Sequence, residues 1–224
     1  MNKSYFITGT DTEVGKTFIS CLLLQKFAKQ NKVTVGFKPI ASGAESHNQQ
    51  LLNDDALRLQ HASSLSVSYE QINPYVFKEP IAPHIAAKEA NQPIQADYLS
   101  THLSQLQEQA DVVIVEGAGG WRVPLSQNEY LSSWVQHEKL PVILVVGMKL
   151  GCLNHTILTA ESIRQDGLQL AGWIANQNQE EMSCYQENID FLTQHLKAPK
   201  LGEIPWLSKD KLETAHQFLT QLPL

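Results

Sequence analysis

A glycine-containing loop near the N-terminus has the residue types that bind phosphate. Residues 9–17 read GTDTEVGKT, with a β-type run before them and a helical pattern after them. Gly9 and Gly15 allow turns that point successive backbone N–H groups at phosphate oxygens, and the positive end of the helix dipole adds to this attraction. Lys16 is placed to bridge the outer phosphates of a nucleoside triphosphate, and the Thr17 hydroxyl is placed to bind Mg²⁺.

This loop is one residue longer than the standard phosphate loop. Five residues separate Gly9 from Gly15, whereas the standard pattern G-x4-G-K-[ST] has four. The alternative is an ordinary strand-to-helix turn with a solvent-exposed lysine. Because a strand precedes the loop and a helix follows it, we favour phosphate binding.

Two charged residues follow apolar strands, where ligands gather in open α/β sheets. Lys38 ends the second predicted strand and could balance charge on a transferring phosphoryl group, although taken alone it is more often an exposed strand-end lysine. Glu116 ends a run of four apolar residues and precedes the sequence GAGG. It is either an Mg²⁺ ligand or an acid in a sharp glycine turn.

Two further polar residues have a chemical and a structural interpretation. Asp55 begins a helical pattern and is either a second Mg²⁺ ligand or, more commonly for such a residue, a helix N-cap. Asn176 ends the fifth predicted strand, where its amide could read a base edge or simply form a turn. The eight histidines show no zinc-ligand spacing, and no G-x-S-x-G nucleophile motif is present.

Short β-rich runs alternate with longer helical patterns along the chain. Several runs are apolar throughout, such as residues 112–115 and 142–146, which indicates strands buried on both faces of a parallel sheet. The alternation predicts a single-domain, three-layer, doubly wound α/β fold of the P-loop NTPase type, with a mostly parallel sheet. The predicted strands are 4–9, 34–38, 111–116, 141–147, 170–176 and 200–204. The predicted helices are 16–30, 54–61, 96–109, 130–137, 155–166 and 183–195, with a short one near 85–90.

The composition excludes several classes of partner. Seventeen Lys and Arg against 23 Asp and Glu give a net charge of −6, and no dense basic run occurs, so nucleic acid and anionic membranes are poor candidates. The three cysteines are dispersed, which is typical of free thiols in a reducing cytosol. No signal-peptide pattern precedes the first predicted strand, so we expect a soluble cytoplasmic protein.

Taken together, these segments resemble the dethiobiotin synthetase family. The lengthened phosphate loop is this family's own form. The matching segments run almost the full length of the chain. They are residues 9–17, 38–43, 73–75, 83–84, 116–121, 141–147, 149–155, 171–176 and 201–207.

The resemblance implies a reaction that composition cannot show. The substrate would be 7,8-diaminononanoate, which carries two neighbouring amines and a distant carboxylate. One amine takes up CO2 as a carbamate, ATP phosphorylates the carbamate, and the second amine attacks the mixed anhydride, so that a ureido ring closes and ADP and phosphate leave. Such a reaction requires mainly positioning and charge neutralisation around a phosphoryl group.

The resemblance also assigns roles to individual residues. Lys16 and Lys38 would be catalytic and neutralise phosphate and carbamate charge, while Thr17, Asp55 and Glu116 would hold Mg²⁺. The ATP site would further comprise Glu13, Val14, Gly15, Phe18, Gly117, Ala118, Gly119, Asn176, Gln177, Pro205, Trp206 and Leu207. The substrate site would comprise Ser42, with Gly151, Cys152, Leu153 and Asn154 reaching the neighbouring subunit's substrate in a homodimer.

Two positions depart from the family pattern. Gln177 stands where relatives carry an acid after the base-reading Asn176. Glu213 is a weak candidate for the acid that assists nucleotide binding after the Pro205–Leu207 segment.

Two other functions remain open on the sequence. One is a nucleotide-switched partitioning or regulatory ATPase, although such proteins usually carry a lysine near the start of the loop, where this chain has Thr10. Many of them also end in a basic amphipathic helix, whereas residues 210–222 carry one lysine and two acids. The other is a related amidoligase or kinase, against which only the segments outside the phosphate loop argue.

Overall fold

The computed structural model describes residues 3–177, 182–207 and 209–223, without the side chains of residues 209–213. In chain order the strands are β1 Lys3–Gly9, β2 Thr34–Phe37, β3 Ile40–Ala41, β4 Glu45–His47, β5 Gln50–Leu52, β6 Tyr75–Val76, β7 Val112–Glu116, β8 Val142–Gly147, β9 Leu170–Asn176 and β10 Lys200–Ile204. The helices are α1 Lys16–Ala28, α2 Asp54–Ala62, α3 Tyr69–Ile72, α4 Pro83–Glu89, α5 Ala96–Gln109, α6 Leu131–His137, α7 Cys152–Gln165, α8 Tyr185–His195 and a 3-10 helix, Lys209–Phe218.

Six of these strands form one parallel sheet in the order β10-β9-β8-β1-β7-β2. The central strand β1 pairs with β7 on one side and with β8 on the other, so the order of the strands reverses at β1. A doubly wound sheet opens a crevice at the carboxyl ends of its strands where the order reverses in this way. The loop that follows β1 therefore begins at the position where such folds bind ligands.

The unbroken apolar runs explain why these segments form the centre of the sheet. Side chains of a strand alternate between its two faces, so a strand that is apolar at every position is stable only with helices on both faces. Val113 to Val115 and Val142 to Val146 are fully buried. The predicted three-layer, mostly parallel fold is confirmed, and each of the six predicted strands lies within one residue of its observed bounds.

The start of α7 differs from the prediction by three residues. The helical pattern predicted a start at His155, but α7 begins at Cys152. Gly151 precedes it in the left-handed region, with φ of 92°, and the Cys152 N–H donates to the Lys149 carbonyl at 3.0 Å. The apolar periodicity therefore missed the first turn, which a glycine rather than a polar cap initiates.

Other elements were not predicted, most of them because they are only two to four residues long. The structure adds the paired strands β3 and β6, the hairpin of β4 and β5, the helix α3 and the 3-10 helix. Helix α4 begins at Pro83, two residues before its predicted start, since proline is tolerated in the first turn of a helix. No helix in the described ranges is long and apolar enough to cross a membrane.

Candidate active site

The loop between β1 and α1 is held by a contact from the neighbouring part of the sheet. Gly15 adopts φ of 90°, and a Cβ atom added there would lie 2.3 Å from the Asn176 side-chain nitrogen. That nitrogen donates to the Val14 carbonyl at 2.8 Å. Only glycine therefore allows both the left-handed turn and the close approach of the end of β9.

Lys16 folds back over the loop that precedes it. Its ammonium lies 3.1 Å from the Asp11 carbonyl oxygen, and the side chain is buried. Burial, together with repulsion from Lys38, lowers the pKa of Lys16 to about 8. With a pKa of about 8 the lysine is still mostly protonated at neutral pH. It is therefore a positive charge in a poorly hydrated site, which suits it to bind phosphate oxygens.

Lys38 is the centre of a cluster of charged side chains. Its Nζ lies 2.6 Å from Glu116 Oε1 and 3.1 Å from Asp55 Oδ2, and the residue is only 4% exposed. Burial alone would lower the pKa of Lys38, but the attraction of the two carboxylates outweighs it and raises the pKa above its usual value. The alternative of an exposed strand-end lysine is wrong, because the lysine turns inward to meet acids from α2 and β7.

Glu116 has one oxygen bound and one without a partner. The Thr17 hydroxyl donates to Oε1 at 2.8 Å, and Lys38 donates to the same atom. Oε2 is buried and has no hydrogen-bond partner in the described part of the chain. A buried carboxylate oxygen without a partner is costly, so this atom is suited to a ligand such as a divalent cation.

Asp55 lies in the first turn of α2, facing Lys38. The N-cap of α2 is Asn53, whose side chain accepts the Ala56 N–H at 3.3 Å, so the N-cap interpretation of Asp55 is wrong. Burial acts to raise the pKa of Asp55, but the positive charge of Lys38 and its hydrogen bond to Asp55 outweigh burial and lower the pKa. Asp55 is therefore an ionised carboxylate, and it is the more exposed of the two acids.

The three predicted metal ligands, Thr17, Asp55 and Glu116, therefore lie together around Lys38. The described residues contain no group of three or more His, Cys, Asp and Glu side chains that could hold a metal by themselves. The two carboxylates of Asp55 and Glu116 and the Thr17 hydroxyl suit Mg²⁺, which usually takes one or two protein carboxylates and completes its shell with phosphate oxygens and water. The residues present thus fit the predicted cation.

A cavity of about 710 Å³ opens in front of this cluster. Ser42 lines it, and the buried Ser42 hydroxyl has no hydrogen-bond partner in the described part of the chain. The predicted residues that line the cavity are Glu13, Gly15, Lys16, Thr17, Phe18, Lys38, Ser42, Asp55, Glu116, Ala118 and Gly119. Val14 and Gly117 are buried behind it, and the Gly117 carbonyl lies 3.4 Å from Lys38 Nζ.

The remaining predicted residues lie outside this cavity, around the ends of β8, β9 and β10. The Gln177 N–H donates to the Ile204 carbonyl at 2.9 Å, next to the segment Pro205–Leu207, in which Trp206 is 57% exposed. At the start of α7, Gly151 and Asn154 are exposed while Cys152 is buried. The side chain of Glu213 lies outside the described residues.

Several charged residues near the loop were not predicted to lie there. Asp11, Arg58 and Arg122 had no predicted role, and Lys149 was predicted only as part of the segment 149–155 that reaches the neighbouring subunit's substrate. Asp11 pairs with Lys149 at 3.0 Å, and Arg58 and Arg122 line the cavity. Arg122 is fixed by Asp166, with Nη1 at 2.7 Å from Oδ2. Lys149 is the second residue after β8, so it lies at the same carboxyl edge of the sheet as the phosphate loop. That position was a signal that Lys149 lies near the loop. The partner Asp166 is remote in sequence and gave no such signal.

Comparison with known proteins identifies the family. The model of the AAA domain family matches residues 3–213. The chain is 51% identical over 224 residues to the ATP-dependent dethiobiotin synthetase of Vibrio parahaemolyticus, covering 100% of this chain and 98% of that protein. It is 51% identical over 210 residues to the enzyme of the same name from Escherichia coli K12, covering 94% and 93%. The chain belongs to the dethiobiotin synthetase family.

The solved structures that resemble this dethiobiotin synthetase family member show its fold. A ParA family ATPase from Chlorobium tepidum superposes with a TM-score of 0.59 at 14% identity, covering 98% of this chain and 91% of that one. The septum site-determining protein MinD from Pyrococcus horikoshii gives 0.57 at 17% identity, covering 92% and 82%. Likenesses at such low identity confirm the fold, and they carry nothing about activity.

Proposed function

We propose that this protein is a dethiobiotin synthetase: it uses ATP and CO2 to close a ureido ring on 7,8-diaminononanoate, and it releases ADP and phosphate. The observation that carries the proposal is the cluster of Lys16, Thr17, Lys38, Asp55 and Glu116 around one cavity at the carboxyl edge of the sheet. Membership of the dethiobiotin synthetase family, at half identity over the full chain, supports the choice of substrate.

The two buried lysines supply most of the chemistry. As the phosphoryl group passes from ATP to the carbamate, negative charge develops on its oxygens and on the leaving ADP. Lys16 and Lys38 are held in a poorly hydrated site, where a fixed positive charge stabilises such a transition state more strongly than water does. Lys38 Nζ contacts two carboxylates and, at 3.4 Å, the Gly117 carbonyl. It can therefore donate to the transferring phosphoryl group only when one of these contacts is replaced.

Mg²⁺ fits beside these lysines, with Thr17, Asp55 and Glu116 as its protein ligands. When bound, the ion would offset negative charge on the phosphate oxygens and orient them. The unpartnered Glu116 Oε2 is the atom best suited to hold it, and Asp55 remains ionised because its pKa is lowered.

Ser42 and the start of α7 are proposed to bind the diamine. Ser42 lines the cavity, and its buried hydroxyl has no hydrogen-bond partner in the described part of the chain, which supports a contact with the reacting end of the substrate. The first turn of α7 has no side-chain cap and carries the positive end of the dipole of a 14-residue helix, which favours a carboxylate. Since Gly151 and Asn154 do not line the cavity of their own chain, we propose that they serve the partner's substrate in a homodimer.

Release of phosphate tests the proposal directly. We expect release to require Mg²⁺, bicarbonate and the diamine together, and we expect the nucleotide product to be ADP. Each component should be omitted in turn. Equal turnover without the diamine would instead favour a nucleotide-switched ATPase, and AMP as product would contradict phosphoryl transfer to the carbamate.

A further inference from the structure

The charged pair of Asp11 and Lys149 joins two segments that are far apart in sequence. Asp11 lies in the phosphate loop, and Lys149 is the second residue after β8. The Lys149 ammonium lies 3.0 Å from Asp11 Oδ2, and the two side chains are 35% and 46% exposed. The hydrogen bond from Lys149 is the largest of the causes that lower the pKa of Asp11, so the carboxylate is ionised at neutral pH.

Asp11 is bound on three sides. Its Oδ1 accepts the Thr12 N–H at 2.8 Å, its Oδ2 accepts Lys149, and its backbone carbonyl accepts the Lys16 ammonium at 3.1 Å. The carboxylate contacts therefore fix the peptide unit that holds Lys16. A displacement of Asp11 would move the resting position of the lysine proposed to bind the outer phosphates.

Lys149 is itself fixed on the other side. Its carbonyl accepts the Cys152 N–H at 3.0 Å and so forms the turn that begins α7. Its neighbour Met148 donates its N–H to the Asn176 carbonyl at 2.9 Å, and Asn176 contacts the phosphate loop at Val14. The backbone from which the Lys149 side chain extends is thus hydrogen-bonded at the carboxyl ends of β8 and β9.

We propose that Lys149 is a positioning residue for nucleotide binding: it holds Asp11, and through Asp11 it holds the phosphate loop and Lys16 against the first turn of α7. The inference rests on ATP binding at the phosphate loop, which is part of the proposed function. Neither Lys149 nor Asp11 lines the cavity. The proposed effect of Lys149 is transmitted through Asp11 and not by its own charge on the nucleotide.

A double-mutant cycle on ATP affinity tests the proposal. The dissociation constant of Mg-ATP is measured by calorimetry, without diamine, for wild type, Lys149→Met, Asp11→Asn and the double variant. Each single variant should weaken binding about two- to fivefold, the range expected for a half-exposed ion pair. The double variant should be no weaker than the single ones, and Lys149→Arg should bind nearly as wild type does.

Lys200→Met is the matched control. Lys200 pairs with Glu203 at 2.6 Å, with side chains 30% and 35% exposed, and both residues lie on the edge strand β10. It should leave ATP affinity unchanged, and its melting temperature shows what the loss of such a pair does to stability. If Lys149→Met lowers the melting temperature as this control does and leaves ATP affinity at the wild-type value, the proposal is overturned.

The cycle also separates a direct role from an indirect one. If Lys149→Met weakens binding equally in the Asp11→Asn background, Lys149 acts on the phosphates by its own charge and the positioning role is wrong. Because no diamine is present, these outcomes do not depend on the carboxylation chemistry. Failure of wild type to bind ATP would contradict the proposed function itself, whereas wild-type affinity in both single variants would contradict only this inference.

Discussion

The two ends of the candidate site differ in how far one chain completes them. Around β1, β2 and β7, the charges of Lys16, Lys38 and Glu116 are buried, and Lys38 is bound to Glu116. Around the ends of β8 to β10, the proposed residues Gly151, Asn154 and Trp206 are exposed, while Asn176 and Cys152 are buried. Leu150, which precedes α7, is 95% exposed. The first region is complete within one subunit, whereas part of the second region is exposed on the surface.

The difference follows from the physical chemistry of the two tasks. A charge that must stabilise a transferring phosphoryl group is effective only where water is scarce, so it has to be buried and matched by opposite charge before the ligand arrives. A carboxylate or a base can be bound by helix N–H groups and apolar surface, which tolerate water until the ligand or another subunit covers them.

The largest expected effect comes from removing a charge in the buried region. Lys38→Ala should lower kcat on the order of a hundredfold to a thousandfold, because it removes one donor from the developing charge. Lys16→Ala should behave similarly. Lys32→Ala, which alters an exposed lysine before the amino end of the same strand β2, is the control and should leave kcat unchanged. Circular dichroism should show that each variant is folded, and a wild-type kcat in Lys38→Ala would remove that residue from the catalytic machinery.

An intermediate effect is expected where the two regions touch, at Gly15 and Asn176. Gly15→Ala should weaken ATP binding on the order of tenfold, because left-handed backbone strain costs about 1–2 kcal/mol and the added Cβ would displace the Asn176 amide. Gly167→Ala is a matched control. Gly167 has φ of 74°, but nothing lies within 4 Å of its added Cβ.

In thermal melts Gly167→Ala should lose stability through backbone strain alone and Gly15→Ala should lose at least as much, whereas only Gly15→Ala should lose affinity in ATP titrations. Equal ATP affinities in the two variants would mean that the contact between Asn176 and the loop is not needed for nucleotide binding.

The smallest expected signal tests whether the exposed region is completed by a second subunit. Lys16→Ala disables the phosphate side, and Asn154→Asp places negative charge beside the proposed carboxylate pocket. If the sites are shared, random pairing of equal amounts makes about half the dimers mixed and leaves about a quarter of all sites intact. Refolding the two variants together should restore activity towards a quarter of wild type. No recovery, despite proven subunit exchange, would place the pocket within one chain.

The chemistry of the buried region was largely predictable because its signals are local. The loop of residues 9–17 carries its own glycines, lysine and threonine, and Lys38 and Glu116 each follow an apolar strand. Parallel strands bring their carboxyl ends to one edge, so these residues had to be neighbours. The start of α7 was predicted three residues late because a glycine in the left-handed region, and not a polar cap, begins that helix.

By itself, the sequence determined the order of strands and helices and the residue types that meet at the sheet edge, because periodicity and strand-end position are properties of short segments. Only the tertiary structure decided which partners the charges take. Lys38 turns inward to Glu116 and Asp55, Asn176 donates to the phosphate loop, and Asp11 binds Lys149, 138 residues away. Each of these contacts joins segments that the fold alone brings together. The burial of each contact determines how strongly its charged groups interact.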